Sequence, residues 1–334
     1  MFSLVFLLCC VGALVSSAPQ KSLYNIEDAA SLFEDFVKTY NKEYTSEAEK
    51  QARFEIFKNN LKDINKKNQS SQSAVFGINQ FADLTQEEFS QKYTLRSFGN
   101  IKSEAKCSYA VYNGTRVGAP ESFDWRDQNK VTPVKNQQHC GSCWAFSTVG
   151  TVEGQYAMKY NQLVDLSPQQ LVDCGQTTHG CDGGFMSNAL LDTIQFGGIM
   201  SLQDYPYQAS QSACQADASR IAARVSDCRE FYFQSEDELK ETLATVGPIS
   251  ILVAATQWMT YHGGLVDASH CDQKLDHAVL LVGYGTADDG TGRPYWTIKN
   301  SWGTEWGDEG YIKITRNENT CNLMGGQFVT AVVQ

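Results

Sequence analysis

Positive charge is scarce in this 334-residue chain: 27 Lys and Arg stand against 38 Asp and Glu, a formal net charge of −11. That deficit argues against a nucleic-acid binder, whose affinity is built on clustered Lys and Arg over phosphates. Long apolar runs are also scarce. Only residues 2–15 are almost wholly apolar, too short a run to cross a bilayer. Small residues Ser16, Ser17 and Ala18 follow, as in a secretory signal, and Pro19 favours a cut after Ser17. No Lys or Arg precedes the run, which departs from the usual signal. Histidine is rare as well, with five in all, so a thiolate that needs an imidazole has few to choose from.

Cysteine, by contrast, is plentiful. The stretch Cys140-Gly-Ser-Cys143-Trp-Ala-Phe146 opens a segment in which Ala145, Phe146, Val149, Val152 and Tyr156 recur at helical spacing. Ser142 reads as its N-cap, which puts the Cys143 sulfur at the positive end of the backbone dipole, where thiolate is favoured. Three readings follow: a nucleophile at Cys143, a redox or metal pair with Cys140, or two structural cysteines. Of the 11 cysteines, Cys9 and Cys10 lie in the apolar leader and Cys107 stands apart. Eight remain from Cys140 onward, and three bridges among them leave two thiols unpaired.

Charge divides the chain. Residues 19–118 carry 14 basic and 13 acidic side chains, whereas residues 119–334 carry 13 and 25. An acidic second part stays soluble at low pH, and its protonation would loosen its hold on a near-neutral first part. That first part is helical by pattern. Leu32, Phe33, Phe36, Val37 and Tyr40 share one face over 27–40, and Phe54, Phe57, Leu61 and Ile64 share another over 47–68, with Glu49 and Arg53 as an i,i+4 pair. A short strand from Val75 and a capped helix over 85–93 follow. Residues 95–118, with three glycines and Thr115-Arg116, read as a linker open to proteolysis.

Glu49, Arg53, Phe57, Asn60, Ile64 and Asn68, followed by Gly77, Asn79, Phe81 and Asp83, resemble in spacing the two inhibitory-prosegment patterns of papain-like proteases. In that family the prosegment runs backwards through the active cleft. Residues 119–126 and 131–137 resemble the start of the mature enzyme. The implied organisation is a signal peptide at 1–17, a prosegment at 18–118 and a protease domain at 119–334. A helical half followed by strands near 249–253, 278–284, 295–299, 311–315 and 328–332 reads as α+β. The resemblance makes this the papain-like two-lobed fold, with a helical lobe, a β-barrel-like lobe and a cleft between them.

His277 opens an apolar run and so stands on a rigid strand, and Asn300 ends another. An isolated histidine there is more often structural, but an amide oxygen nearby can orient an imidazole without adding charge. Cys143, His277 134 residues later and Asn300 23 residues beyond that resemble the papain and cathepsin pattern, for which C-G-[SA]-C-[WY] is the standing signature. The resemblance implies Cys143 as nucleophile, His277 as base then acid, Asn300 as orienter and Trp302 as cover. It also implies Gln137, with the Cys143 N–H, as the oxyanion hole, where a missing donor costs about 2.7–4 kcal/mol. Gln138 stands where the family usually has Gly. Gly183, Gly184, Phe185, Met186, Leu252, Leu275, Asp276 and Gly326 would bind substrate, the apolar ones forming a pocket for Leu, Phe or Val.

By the same resemblance, bridges join Cys140 to Cys181, Cys174 to Cys214 and Cys271 to Cys321, which leaves Cys228 as a buried free thiol. No second close Cys/His pair accompanies Cys140 and Cys143, so zinc is not expected, and no cofactor is implied. Asn68 and Asn113 head glycosylation sequons. No His-His insertion of the exopeptidase kind is present. The expectation is therefore a monomeric endopeptidase of cathepsin L type, secreted or lysosomal, acting on proteins and peptides and restrained by its prosegment and by cystatin-type inhibitors. A transpeptidase or ligase using the same thioester, or a binding protein without turnover, would share much of this pattern.

Overall fold

The computed structural model describes residues 21–95, 107–111 and 118–334; the leader and Asn113 lie outside them. Three prosegment helices come first: α1 (Ala29–Thr39), α2 (Glu47–Ser70) and α3 (Gln86–Tyr93). Ser46 caps α2 through the Glu49 N–H, and Thr85 and Glu88 close a full capping box on α3. Glu49 and Arg53 make no close ion pair, although each still favours the other's charged form. Glu49 accepts from Thr45 instead, while Arg53 reaches across to Glu88 at 2.7 Å, tying α2 to α3. Phe33, Phe36, Phe57 and Leu61 form the core of this unit.

Strands β1 (Val75–Phe76) and β2 (Ser108–Val111) come before β3 (Phe123–Asp124) in the chain. The helical lobe holds α4 (Cys143–Tyr160), α5 (Pro168–Cys174) and α6 (Met186–Phe196), with β4 (Ile199–Met200) and β5 (Ile221–Ala223) as a small sheet. Ser167 caps α5 with Pro168 at its first turn. The remaining elements are β6 (Val225–Tyr232), α7 (Glu236–Val246), β7 (Ile249–Val253), β8 (Tyr261–Gly263), β9 (Leu265–Val266), β10 (His277–Thr286), β11 (Pro294–Lys299), β12 (Tyr311–Thr315) and β13 (Phe328–Val333). Apart from β8, their strands join β2 and β3 in a largely antiparallel sheet in the order β2-β6-β13-β7-β10-β11-β12-β9, with β3 beside β10.

Helix α4 is buried along most of its length between the lobes. Two glycines allow this: a Cβ on Gly150 would meet Leu280 at 2.9 Å, and one on Gly154 would meet Pro248 at 2.8 Å. Asn79 and Gln80 of the prosegment donate to the Met259 and Trp302 carbonyls, and β1 pairs with β8. Phe76, Phe81 and Phe89 enter the same apolar cluster as Trp258, Tyr261, Trp302 and Trp306. Ion pairs between described residues fall within the prosegment or within the enzyme domain, so the charge contrast is not realised as cross-interface pairs among them.

Residues 107–111 are not bare linker. Strand β2 adds in parallel to β6, and Cys107 is bridged to Cys228. The expected free thiol at Cys228 is thereby corrected: the added strand carries Cys107 to it, and Cys143 is the free cysteine among the described residues. The other bridges are Cys140–Cys181, Cys174–Cys214 and Cys271–Cys321. Asn68 is also corrected as a glycan site. It is buried, its Nδ2 donates to the Ser22 and Phe76 carbonyls at 3.1 and 2.8 Å, and its Oδ1 accepts the Phe76 N–H, leaving no room for a sugar on that nitrogen.

Candidate active site

Cys143 is the first residue of α4 and fully buried. Ser142 precedes it without making a side-chain cap. Its hydroxyl pairs instead with the Tyr207 hydroxyl at 2.7 Å. Burial pushes the Cys143 thiol up to about 12, with backbone N–H groups of Ala278 and Trp144 pulling the other way. The thiolate expected from the helix dipole is therefore overridden: desolvation of a charge outweighs a terminal dipole when water is excluded.

His277 begins β10, paired with Val253 of β7. Its Nε2–H donates to Asn300 Oδ1 at 2.7 Å, a bond that leaves Nδ1 as the basic nitrogen. Nδ1 is buried and without a hydrogen-bond partner among the described residues. Burial pushes the imidazole down to about 4, against the raising effect of the Asn300 bond. Thiol and imidazole are thus both held neutral. Trp302 stacks on the His277 ring at 4.6 Å between centroids and is itself buried under Phe81 and Phe89. Asn300 follows β11, and behind it Lys299 donates to Thr132 at 2.7 and 3.0 Å while Lys135 pairs with Glu153 and Asp165. Burial lowers Lys299 to about 8, with Glu153 opposing.

Gln137 is fully buried. Its Oε1 accepts from Ser301 Oγ at 2.7 Å, and its Nε2 donates to the carbonyls of Cys140 at 3.0 Å and Tyr93 at 3.2 Å. Tyr93 is the last residue of α3, so a prosegment carbonyl sits on this amide. Gln138 has φ +52°, the left-handed region, which explains why glycine suits the position; its N–H is held by Asn136 Oδ1 at 2.8 Å.

The chain continues into the cleft. The Leu95 N–H donates to the Asp276 carbonyl at 2.7 Å, and Leu95 is buried in one apolar cluster with Cys143, Met186, Leu252 and Ala278, against which Phe185 and Leu275 pack. Gly326 abuts Leu252: an added Cβ would come within 2.6 Å of its carbonyl oxygen. The Asp276 carboxylate is turned inward to the Ala255 N–H and Thr256 hydroxyl, and burial raises its pKa. Gly183 accepts from the His179 N–H, and Gly184 lies against Trp144; both form the turn before α6.

Ser301 and Tyr207 were not anticipated. Ser301 adjoins Asn300 in the Asn-Ser-Trp triplet, a signal that could have found it. Tyr207, which donates to the Gln137 carbonyl at 2.8 Å, offers only an Asp-Tyr-Pro-Tyr turn. Among the described residues no group of three or more His, Cys, Asp or Glu is placed to hold a metal ion. No helix among the described residues is long and apolar enough to cross a membrane.

Comparison with known proteins gives a consistent picture. Residues 119–331 match the papain family cysteine protease, and residues 33–89 match the cathepsin propeptide inhibitor domain. The chain is 42% identical to the viral cathepsin of Mamestra configurata nucleopolyhedrovirus, over 97% of both chains. It is 43% identical to that of Adoxophyes honmai nucleopolyhedrovirus, over 90% of both. The digestive procathepsin L 3 of Tenebrio molitor larval midgut superposes with a TM-score of 0.80 at 34% identity, covering 91% of this chain and 99% of that one.

Proposed function

Because the chain belongs to the papain family of cysteine proteases and carries a cathepsin-type inhibitory propeptide, it is a cathepsin L-type cysteine endopeptidase precursor, and we propose that Cys143, His277, Asn300 and Gln137 perform its chemistry. Cys143 attacks the substrate carbonyl carbon once its proton has passed to His277 Nδ1. The Gln137 amide and the Cys143 N–H hold the oxyanion. His277 returns the proton to the leaving amine as the C–N bond breaks, and water hydrolyses the thioester by the reverse sequence. Asn300 keeps the imidazole oriented throughout.

The observation that carries this reading is the prosegment itself, with Tyr93 on the Gln137 amide and Leu95 in the apolar cluster of Met186 and Leu252. A peptide in the cleft meets these groups. The pocket that takes Leu95 supports a preference for Leu, Phe or Val one residue before the scissile residue. Four disulfides support an oxidising route through the secretory pathway, with lysosome or extracellular space as destination and cystatin-type proteins as inhibitors of the monomer. The units are a leader at 1–17, a prosegment at 18–118 and the enzyme at 119–334.

Purified precursor incubated at acidic pH with a thiol should hydrolyse Leu-Arg and Phe-Arg peptide dyes in preference to Arg-Arg, and Cys143→Ala should abolish turnover. Absence of hydrolysis after prosegment removal with Cys143 intact overturns the catalytic assignment. Preference for Arg-Arg overturns the pocket, and aminolysis exceeding hydrolysis would make the enzyme a transpeptidase.

A further inference from the structure

The Cys107–Cys228 bridge joins the prosegment to the enzyme domain covalently. We propose that it makes release of the inhibitor a two-part event, in which a single cut at the junction with the enzyme domain leaves the whole prosegment tethered. We further propose that the processed enzyme keeps the strand around Cys107 as a permanent edge strand. The inference rests on the propeptide's being the inhibitor and goes beyond the protease reading.

The connectivity is asymmetric. The inhibitory elements, α1 to α3 and the cleft-filling Tyr93 and Leu95, lie N-terminal to Cys107, and the enzyme domain lies C-terminal to Val111. A break after Val111 therefore separates nothing while the bridge stands. A break between Leu95 and Cys107 frees the inhibitor but leaves β2 on β6. Noncovalent contact around so short a strand is sparse. Strand β2 has four residues, pairs in parallel from Ser108 with Arg229 to Val111 with Tyr232, and adds a Ser108–Asp227 hydrogen bond of 3.2 Å and a Tyr109–Tyr232 ring contact at 5.5 Å. Both tyrosines are about 60% exposed, so this four-residue edge strand covers little apolar surface there. The bridge does the holding, and a tethered inhibitor acts at an effective concentration that dilution does not change.

Both bridge cysteines are buried, Cys107 at 2% and Cys228 at 0% exposure. Reduction requires a thiolate to reach one sulfur. With a dithiol reductant, the thiolate attacks one sulfur of the bridge, the S–S bond breaks and the other sulfur leaves as thiolate. The reductant's second thiol then resolves the mixed disulfide, ending as a cyclic disulfide while Cys107 and Cys228 each take a proton. Burial and the small thiolate fraction at acidic pH both slow this step, so monothiol conditions that keep Cys143 reduced leave the tether in place.

The test uses full-length Cys143→Ala precursor with a site-specific protease sequence inserted between Val117 and Gly118, so that its outcome is independent of turnover. After cutting, acid and dilution of about 1,000-fold, the two pieces are expected to stay together on non-reducing electrophoresis and to separate only with a dithiol. The same cut in Cys107→Ser/Cys228→Ser should release the prosegment in acid without reductant; if that variant does not fold, the dithiol arm on the parent stands alone. Self-processed wild-type enzyme should lose the mass of a Cys107-containing peptide on reduction. Release from the cut parent without reductant, or a non-reduced processed mass equal to the enzyme domain alone, overturns the proposal.

Discussion

The Tyr93 carbonyl oxygen accepts the Gln137 side-chain N–H at 3.2 Å, so a prosegment backbone group occupies the amide assigned to the oxyanion. Donors that act on developing charge lower the barrier more than they aid binding. Gln137→Ala in the processed enzyme should lower kcat by about 100- to 1,000-fold with little change in KM. Steady-state kinetics on a Phe-Arg dye reads this out. A loss confined to KM would place Gln137 in ground-state binding.

Cys143 and His277 are both held neutral in the precursor, the thiol pushed up to about 12 and the imidazole down to about 4 by burial. Alkylation needs thiolate. Iodoacetamide at pH 6 should therefore modify Cys143 far more slowly in the precursor than after processing, and unfolding the prosegment by mild denaturant should restore the fast rate. Mass spectrometry of the Cys143 peptide against time measures both.

Much of this was legible in the sequence, because local signals agreed with the fold. The capped start of the helix over 85–93 and the apolar spacing of Phe54, Phe57, Leu61 and Ile64 set helix positions to within a few residues. His277 stands out in the sequence because it opens a buried strand, and Asn300 because it follows one. What was missed depends on contacts distant in sequence. Strand β6 carries Asp227 and Arg229 at exposed positions and Glu230 half-buried, which blurs the alternation that marks a strand, and the Cys107–Cys228 pair spans 121 residues. The state of Cys143 in the precursor is not local either: the helix terminus that favours thiolate is legible in sequence, whereas the burial that opposes it depends on Leu95 and other residues brought from elsewhere.

Gln138 adopts φ +52° on the loop that carries Gln137. A side chain in the left-handed region costs about 1–2 kcal/mol, part of which glycine returns as unfolded-state entropy. Gln138→Gly should raise stability by up to about 1 kcal/mol and leave kcat within a factor of about two, since the backbone conformation is unchanged. Chemical denaturation of the processed enzyme decides; a lower midpoint would mean that the Gln138 side chain contributes more than its backbone strain costs.

Glu88 ties α3 to α2 through Arg53, and this hydrogen-bonded pair, together with the Thr85 capping box, lowers its carboxyl from 4.5 to about 2. A depressed carboxylate stabilises the fold above its unfolded pKa and loses that contribution as pH falls through the folded one. The stabilisation is thus complete above about pH 4.5 and fades toward pH 2. Glu88→Gln should melt at lower temperature than the parent at pH 6, with the gap closing between pH 4.5 and 2. Any release of the prosegment above about pH 4.5 would have to draw on other groups, because Glu88 is still ionised there. Melting curves of the Cys143→Ala precursor and its Glu88→Gln derivative across this range test the assignment; a gap independent of pH would show that the side chain matters for packing and not for its charge.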